Sequence, residues 1–135
     1  MSEKEIMVTF PGGVKVDARS GEFTVRTDQP VKAGGENSAP SPFDLFLVSI
    51  ATCAGYYALA FCRERNIAVE GMSVRMTWTR DPEIKMIDRI SIEIRLPAGF
   101  PEKYRAAVVK AASTCTVKAH LAKPPAFVME ARIAG

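Results

Sequence analysis

The longest uncharged stretch of the chain, Leu45–Cys62, limits most strongly how the protein can fold. It has eighteen residues without an Asp, Glu, Lys or Arg, which is about the length of a membrane-spanning helix. Its interior nevertheless contains Ser, Thr, Cys, Gly and Tyr, and the charges that flank it are mixed in sign. A membrane span would favour a one-sided positive cluster. The pattern therefore favours a buried helix over a membrane span.

The residues before this stretch specify a helix start. Ser41 is a suitable N-cap and Pro42 suits the first helical position, where its missing N–H has no cost. Asp44 lies three residues after Ser41, at the spacing of a capping box, and its charge suits the positive end of the helix dipole. The helix is expected to end near Arg65.

A helix that is apolar on all sides has to be surrounded on all sides. A chain of 135 residues has little material with which to encircle a helix of this length. A second copy of the chain would supply the missing cover. We therefore expect a homodimer in which two long helices share one core, with residues 1–135 forming a single domain.

Composition excludes several classes of function. Apolar residues make up 47% of the chain and charged residues 24%, as is typical of globular proteins. The net charge of +3 is small and its Lys and Arg residues are scattered, so no nucleic-acid partner is expected. Three Cys and one His are a poor set for zinc, and no metal or cofactor is expected. The N-terminal segment lacks the apolar core of a secretory signal, which predicts a cytoplasmic protein.

Hydropathy patterns along the chain predict an α+β fold. Short strands are expected at Ile6–Phe10, Val14–Ala18 and Glu22–Thr27, the last two joined around Arg19-Ser20-Gly21. After the long helix, two segments alternate with period two, Met72–Thr79 and Ile90–Leu96, and predict an antiparallel pair. A helix from Pro101, a short helix from Cys115 to Ala122 capped by Thr114, and a last strand at Ala126–Ile133 complete the expected order.

Helix geometry restricts how the three cysteines can pair. Cys53 and Cys62 are nine residues apart, so on one helix they are separated by roughly 13 Å and point to nearly opposite faces. A disulfide requires Cα atoms within about 7 Å. An intrachain disulfide would therefore join Cys115 to either Cys53 or Cys62.

The environments expected for the cysteines differ. Cys115 is predicted in the first turn of a helix with Lys118 nearby, where the helix dipole favours a thiolate. Cys53 is predicted in mid-helix, where burial disfavours the thiolate unless a basic residue, most plausibly an Arg, reaches it. The alternative is that the cysteines are ordinary buried side chains. His120, five residues from Cys115, is expected to be a packing or surface residue.

These motifs together resemble the OsmC/Ohr family. The resemblance rests on the glycine-rich loop at Gly34-Gly35, the Ser41-Pro42 helix start, Cys53 eleven residues after that proline, and Cys115 about sixty residues further on. It implies an OsmC-like intertwined homodimer in which antiparallel sheets wrap around long buried central helices. It also implies reduction of organic hydroperoxides, with Cys53 as the peroxidatic cysteine and Cys115 as the resolving cysteine that forms a disulfide with it. An external dithiol, such as a lipoyl carrier, would then restore both thiols.

The resemblance further implies an arginine from the N-terminal hairpin that holds the Cys53 thiolate. Arg19 matches that residue best, and Arg26 is the competitor. Where the family's peroxidases carry Glu after the helix-start proline, this chain has Phe43, and its carboxylate is one residue later at Asp44. Asp44 is either a displaced partner of the arginine or only a capping residue.

Two functional hypotheses follow. The first is a thiol-dependent organic hydroperoxide reductase, whose alkyl group would contact apolar residues near Cys53, namely Phe43, Phe46, Ile50, Tyr56 and Tyr57. The second is a non-peroxidase protein of the same scaffold that binds apolar small molecules or handles sulfur through Cys53.

Overall fold

The computed structural model describes residues 4–134. Five strands and three α-helices follow in the order β1 (Ile6–Gly12), β2 (Lys15–Ser20), β3 (Phe23–Thr27), α1 (Pro42–Glu64), β4 (Ser73–Arg80), β5 (Ile87–Arg95), α2 (Arg105–Ser113) and α3 (Thr116–Ala122). Short 3₁₀ turns lie at Val31–Ala33 and Glu102–Tyr104. The predicted α+β class with antiparallel sheets is confirmed.

The chain divides into two compact units, with the boundary between Val48 and Ser49 inside α1. The first unit holds an antiparallel sheet in the order β1-β2-β3. Because Val8 pairs with Ala18 and Ala18 with Val25, these three side chains share one face of the sheet. Val8 and Val25 are 45% and 40% exposed, so this apolar face is uncovered in the single chain.

A buried carboxylate organises the loop between β3 and α1. Asp28 is only 1% exposed, and its two oxygens accept hydrogen bonds from the backbone N–H groups of Gln29, Glu36 and Ser38 and from the Ser38 hydroxyl, at 2.7 to 3.2 Å. These bonds favour the charged form and hold the pKa of Asp28 well below its ordinary value. A Cβ atom at Gly35 would collide with the Gln29 carbonyl, so the loop closes only around a glycine.

The loop leads into the predicted capping box at the start of α1. The Asp44 backbone N–H donates to Ser41 Oγ, and the Ser41 backbone N–H donates to Asp44 Oδ2, each at 3.1 Å. Both bonds satisfy N–H groups that have no partner within a helix. The predicted helix start is confirmed to the residue.

The second unit packs the rest of α1 against the β4–β5 hairpin, α2 and α3. Its core joins Ala54, Ala58, Phe61 and Cys62 of α1 to two residues of α2, Val108 and Ala112. The β5 residues Ile90, Ile92 and Ile94 lie opposite Trp78, Met76 and Val74, which gives the hairpin the single apolar face that the alternation predicts. The core therefore consists of small side chains of α1 at helical spacing together with the hairpin and α2.

Helix α1 remains partly uncovered. Phe43, Val48 and Tyr56 are each 46 to 62% exposed, and only 33% of the most apolar eighteen-residue window is buried. By length and composition this helix could cross a membrane, although core helices of globular proteins meet the same criterion. The expectation of a helix buried on all sides is thus not met within one chain.

Two details of the predicted strands are wrong. Arg19 lies within β2 rather than in the turn, because the strand continues to Ser20. The expected last strand at Ala126–Ile133 is irregular chain in the described structure, and Phe127, Val128 and Met129 are each more than 80% exposed. A strand needs a neighbouring strand for its hydrogen bonds, and this segment has none within the described chain.

Candidate functional site

Cys53 lies in the middle of α1 and is half-buried. Counting about 100° per residue, Ile50, Tyr57 and Ala54 form a stripe on the helix, and Cys53 borders that stripe. Cys53 and Tyr57 are one turn apart and share a face. The predicted peroxidatic residue therefore lies on the face of α1 that also carries Tyr57.

Cys115 is buried, with 2% of its surface exposed, and it is itself the N-cap of α3. Its Sγ accepts a hydrogen bond from the Lys118 backbone N–H at 3.4 Å. The prediction that Thr114 caps this helix is wrong, because the Thr114 hydroxyl donates to the Ala111 carbonyl at 2.8 Å and so closes the end of α2. The thiol thus occupies the place that a serine or threonine hydroxyl takes in most helices.

One side-chain hydrogen bond connects the two cysteine-bearing elements. The Tyr57 hydroxyl and the Thr116 hydroxyl lie 2.8 Å apart. Tyr57 is one turn beyond Cys53 on α1, and Thr116 is the first residue of α3, directly after Cys115. The start of α3 is in this way attached to the face of α1 that Cys53 borders.

A cavity of about 320 Å³ lies in the second unit. It is lined by Ile50 and Ala54 of α1, by Ile90, Ile92 and Ile94 of β5, by Val109, Ala112 and Ser113 of α2, and by Cys115, Lys118 and Leu121 around α3. Apart from the Ser113 hydroxyl and the Lys118 ammonium group, its side-chain walls are aliphatic or thiol. A cavity of this kind suits an apolar group with a polar end.

Cys62 has a different environment. It is completely buried in the core of the second unit. Burial raises the pKa of its thiol, and the positive charge of Arg65 opposes that shift only in part. Since the thiolate is the reactive form, Cys62 is suited to packing rather than to chemistry.

The two candidate arginines belong to the first unit, whereas Cys53 belongs to the second. Arg19 is exposed, and its Nε donates a hydrogen bond to the Gly21 carbonyl at 2.9 Å. Arg19 pairs with Thr24, and Arg26 pairs with Asp17 on the same face of the sheet. The choice of Arg19 over Arg26 stays a prediction, as do the roles assigned to Cys53 and Cys115.

Asp44 has an identified role, which is to cap α1 through Ser41. Phe43, the residue directly after the helix-start proline, is 46% exposed and stacks on Phe46 with ring centroids 5.4 Å apart. Of the two alternatives for Asp44, capping is the one that the structure supports.

The single histidine is a surface residue. His120 is exposed, and its Nδ1 lies 2.8 Å from the Thr116 carbonyl within the same helix. This contact ties the ring to the backbone of α3, which agrees with the packing or surface role expected for it.

Comparison with known proteins identifies the family. A family model described as OsmC-like protein matches residues 35–130. The chain belongs to the OsmC family. The match covers α1, the β4–β5 hairpin and both following helices, and so includes both cysteines of the resemblance. No curated protein matches the chain.

Solved structures share the fold at low sequence identity. A protein of Psychrobacter arcticus 273-4, named for osmotic stress induction and a detoxification response, aligns with a TM-score of 0.74 and 23% identity over 88% of each chain. An OsmC-like protein of Mycoplasma pneumoniae gives 0.70 and 15%, over 91% of this chain and 89% of its own. The organic hydroperoxide resistance protein OsmC of Legionella pneumophila gives 0.59 and 18% over 91% of each.

Sequence reasoning missed two features of this region. Of the apolar residues expected around Cys53, only Ile50 lines the cavity. The residues of β5, α2 and α3 that form the other walls were not predicted. The Tyr57–Thr116 bond was also missed, since its partners are 59 residues apart. The alternation of Ile90, Ile92 and Ile94 was the available signal for the cavity. It indicated an apolar strand face but not which helices lie opposite that face.

Proposed function

We propose that this protein reduces organic hydroperoxides through Cys53 and Cys115. The observation that carries the proposal is the apolar cavity, because its wall contains Cys115 together with Ile50 and Ala54, which precede and follow Cys53 in the sequence of α1, while Cys53 itself lies outside the lining. Proteins of this family are typically dimeric and act on hydroperoxides. The Legionella relative of the same fold is named for organic hydroperoxide resistance.

The proposed reaction has two steps on the protein. The Cys53 thiolate attacks the terminal peroxide oxygen, the O–O bond breaks, and the organic part leaves as an alkoxide that takes up a proton to become an alcohol. Cys53 is then a sulfenic acid. The Cys115 sulfur attacks the Cys53 sulfur, the S–O bond breaks, and the hydroxyl group leaves as water with the proton of the Cys115 thiol.

A dithiol from outside the chain completes the cycle. Its two thiols reduce the Cys53–Cys115 disulfide by exchange and form a disulfide of their own. A lipoyl carrier is the chemical class of reductant that we propose. We assign the reaction to the cytoplasm, where a reducing environment maintains free thiols between cycles.

The cavity walls support a preference for organic over hydrogen peroxide. Burial of a methylene group contributes about 0.8 kcal/mol, so an alkyl chain in this cavity would gain binding energy that hydrogen peroxide cannot. We assign to Arg19 the positive charge that Cys53 requires as a thiolate, on the strength of the family resemblance.

We also propose that the active protein is a homodimer. Two apolar surfaces are uncovered in one chain, namely the partly exposed helix α1 and the face of the first sheet that contains Val8 and Val25. Contiguous exposed apolar surfaces are typical of interaction sites. Size-exclusion chromatography with light scattering should give about twice the 14.7 kDa of the chain, and a monomer would contradict the proposal.

The reaction is tested by counting free thiols. The reduced protein is mixed with one equivalent of an alkyl hydroperoxide, or in parallel with hydrogen peroxide, then alkylated and analysed by intact mass and peptide mapping. We expect rapid loss of two thiols, mapped to Cys53 and Cys115, and a faster loss with the alkyl peroxide. Unchanged thiols would overturn the proposal.

The second candidate function is a non-peroxidase one, the binding of apolar small molecules or sulfur handling through Cys53. It is favoured by one observation: Asp44 caps the helix, and the position after Pro42 has no carboxylate to pair with an arginine. Native mass spectrometry of the purified protein distinguishes the two. A bound apolar ligand, or a persulfide on Cys53, together with thiols that resist peroxide, would support this second function.

A further inference from the structure

We propose that Tyr57 and Thr116 form a positioning pair for the disulfide step. This inference rests on the proposed function, because it concerns how Cys115 reaches an oxidised Cys53. The hydroxyl groups of these two residues lie 2.8 Å apart and form a hydrogen bond.

The placement of the two residues relative to the cysteines is the first argument. Tyr57 follows Cys53 by one helical turn and shares its face, while Thr116 is bonded directly to Cys115. The hydrogen bond therefore joins the immediate surroundings of the two thiols.

The weak packing of α3 is the second argument. This helix has only seven residues, none of which is buried. A short exposed helix receives little stabilisation from its own backbone or from packing. The Tyr57–Thr116 hydrogen bond therefore acts together with the buried Cys115 side chain in fixing the first turn of α3.

The demands of the reaction are the third argument. A disulfide forms only when the two Cα atoms are about 4.4 to 6.8 Å apart and the side chains are suitably oriented. Cys115 must also leave its hydrogen bond with the Lys118 N–H to attack the Cys53 sulfur. An attached first turn holds the Cys115 backbone in place while its side chain rotates. The attack of the Cys53 thiolate on the peroxide oxygen uses no atom of the Cys115 thiol and so does not require this rotation.

The test measures the two steps separately in four single variants and one double variant. Tyr57→Phe and Thr116→Val each remove one hydroxyl group with little change in shape, Thr116→Ser retains the hydroxyl, and Tyr104→Phe is the matched control. Tyr104 lies in the turn before α2 and packs its ring edge-on against Phe61. Each reduced protein is mixed rapidly with one equivalent of cumene hydroperoxide, quenched over time, and analysed by mass for sulfenic acid trapped with dimedone and for disulfide.

Tyr57→Phe and Thr116→Val should form the disulfide about fivefold more slowly than the wild type, the effect of losing one hydrogen bond, and should accumulate trapped sulfenic acid. Their rates of Cys53 oxidation should change less than their disulfide rates, because Tyr57→Phe keeps the aromatic ring that is expected to contact the alkyl group. Thr116→Ser and Tyr104→Phe should match the wild type. The variant with both Tyr57→Phe and Thr116→Val should be no slower than either single variant, as expected for one shared interaction.

Equal disulfide rates in Tyr57→Phe and the wild type would overturn the inference. An equal slowing of both steps would also overturn it, because a general loss of structure would act on both. If peroxide oxidises no thiol of the wild-type protein, the proposed function itself is contradicted. The variants would then show no oxidation either, which distinguishes this result from a failure of the inference alone.

Discussion

Cys53 and Cys62 lie on the same helix, nine residues apart, in different surroundings. Cys53 is half-buried beside Tyr57, whose hydroxyl reaches the start of α3. Cys62 is fully enclosed by the core of the second unit, where burial raises the pKa of its thiol. The helix provides the same backbone at both positions. The elements that pack against it therefore decide which thiol is available for chemistry.

Removal of each thiol gives the largest expected contrast. Cys53→Ser should abolish catalytic turnover of an alkyl hydroperoxide, because the peroxidatic sulfur is lost. Cys62→Ala should retain turnover and instead lower the free energy of unfolding by about 1 to 2 kcal/mol, as expected for a small cavity in a core. Steady-state peroxide consumption with a dithiol and urea unfolding measure the two effects. Undiminished multiple turnover in Cys53→Ser would rule out the assignment.

The partner of Cys115 gives the next contrast. Helix geometry alone permits Cys115 to pair with either cysteine of α1. If it resolves Cys53, Cys115→Ser should consume one equivalent of peroxide, stop as a sulfenic acid on Cys53, and show multiple-turnover rates at least tenfold lower than those of the wild type. Peptide mapping of the oxidised wild type is the accompanying measurement. A Cys62–Cys115 disulfide there would contradict the comparison of the two thiols.

Alkylation rates compare the same two thiols without any substitution. Below the raised pKa of Cys62, its thiolate fraction falls about tenfold for each unit of pH, and burial hinders access as well. In the folded protein at pH 7 to 8, iodoacetamide should therefore modify Cys53 at least tenfold faster than Cys62. In urea the two rates should become similar. Similar rates in the folded protein would show that the core around Cys62 opens readily.

The buried Asp28 extends the comparison to a group that stays charged although it is buried. Its hydrogen-bond donors lower its pKa, whereas Cys62 lacks enough compensation and its pKa rises. A lowered pKa contributes stability that is present above the unfolded pKa of about 3.9 and is lost as the pH falls through the folded value. Asp28→Asn should lower the thermal midpoint at pH 7 and reduce the fall in stability between pH 5 and pH 2.

Glu22→Gln is the control for Asp28→Asn, since it removes an exposed carboxylate from the same unit. Its thermal midpoint and its acid dependence should follow those of the wild type. An Asp28→Asn variant with the wild-type pH dependence would show that the loop does not depend on the charge of Asp28.

Local features of the fold could be predicted from the sequence, and long-range contacts of the site could not. The Ser41–Asp44 capping box joins residues three apart, so its spacing is visible in the sequence. The two strands of the hairpin were visible through their alternation. By contrast, Cys115 takes the capping role expected of Thr114, because the end of α2 uses the Thr114 hydroxyl. The sheet register, which places Arg19 within β2, was also not visible.

The sequence by itself determined that Pro42–Glu64 is one helix and that Cys53 and Cys62 cannot bond to each other, because the rise and turn of a helix are fixed by hydrogen bonds four residues apart. The tertiary structure alone decided that Cys62 is enclosed, that Cys115 caps α3 and lines a cavity, and that Tyr57 bonds to Thr116. These outcomes depend on which distant segments pack together. Burial and hydrogen-bond partners are properties of that packing, and they set the chemistry of each thiol.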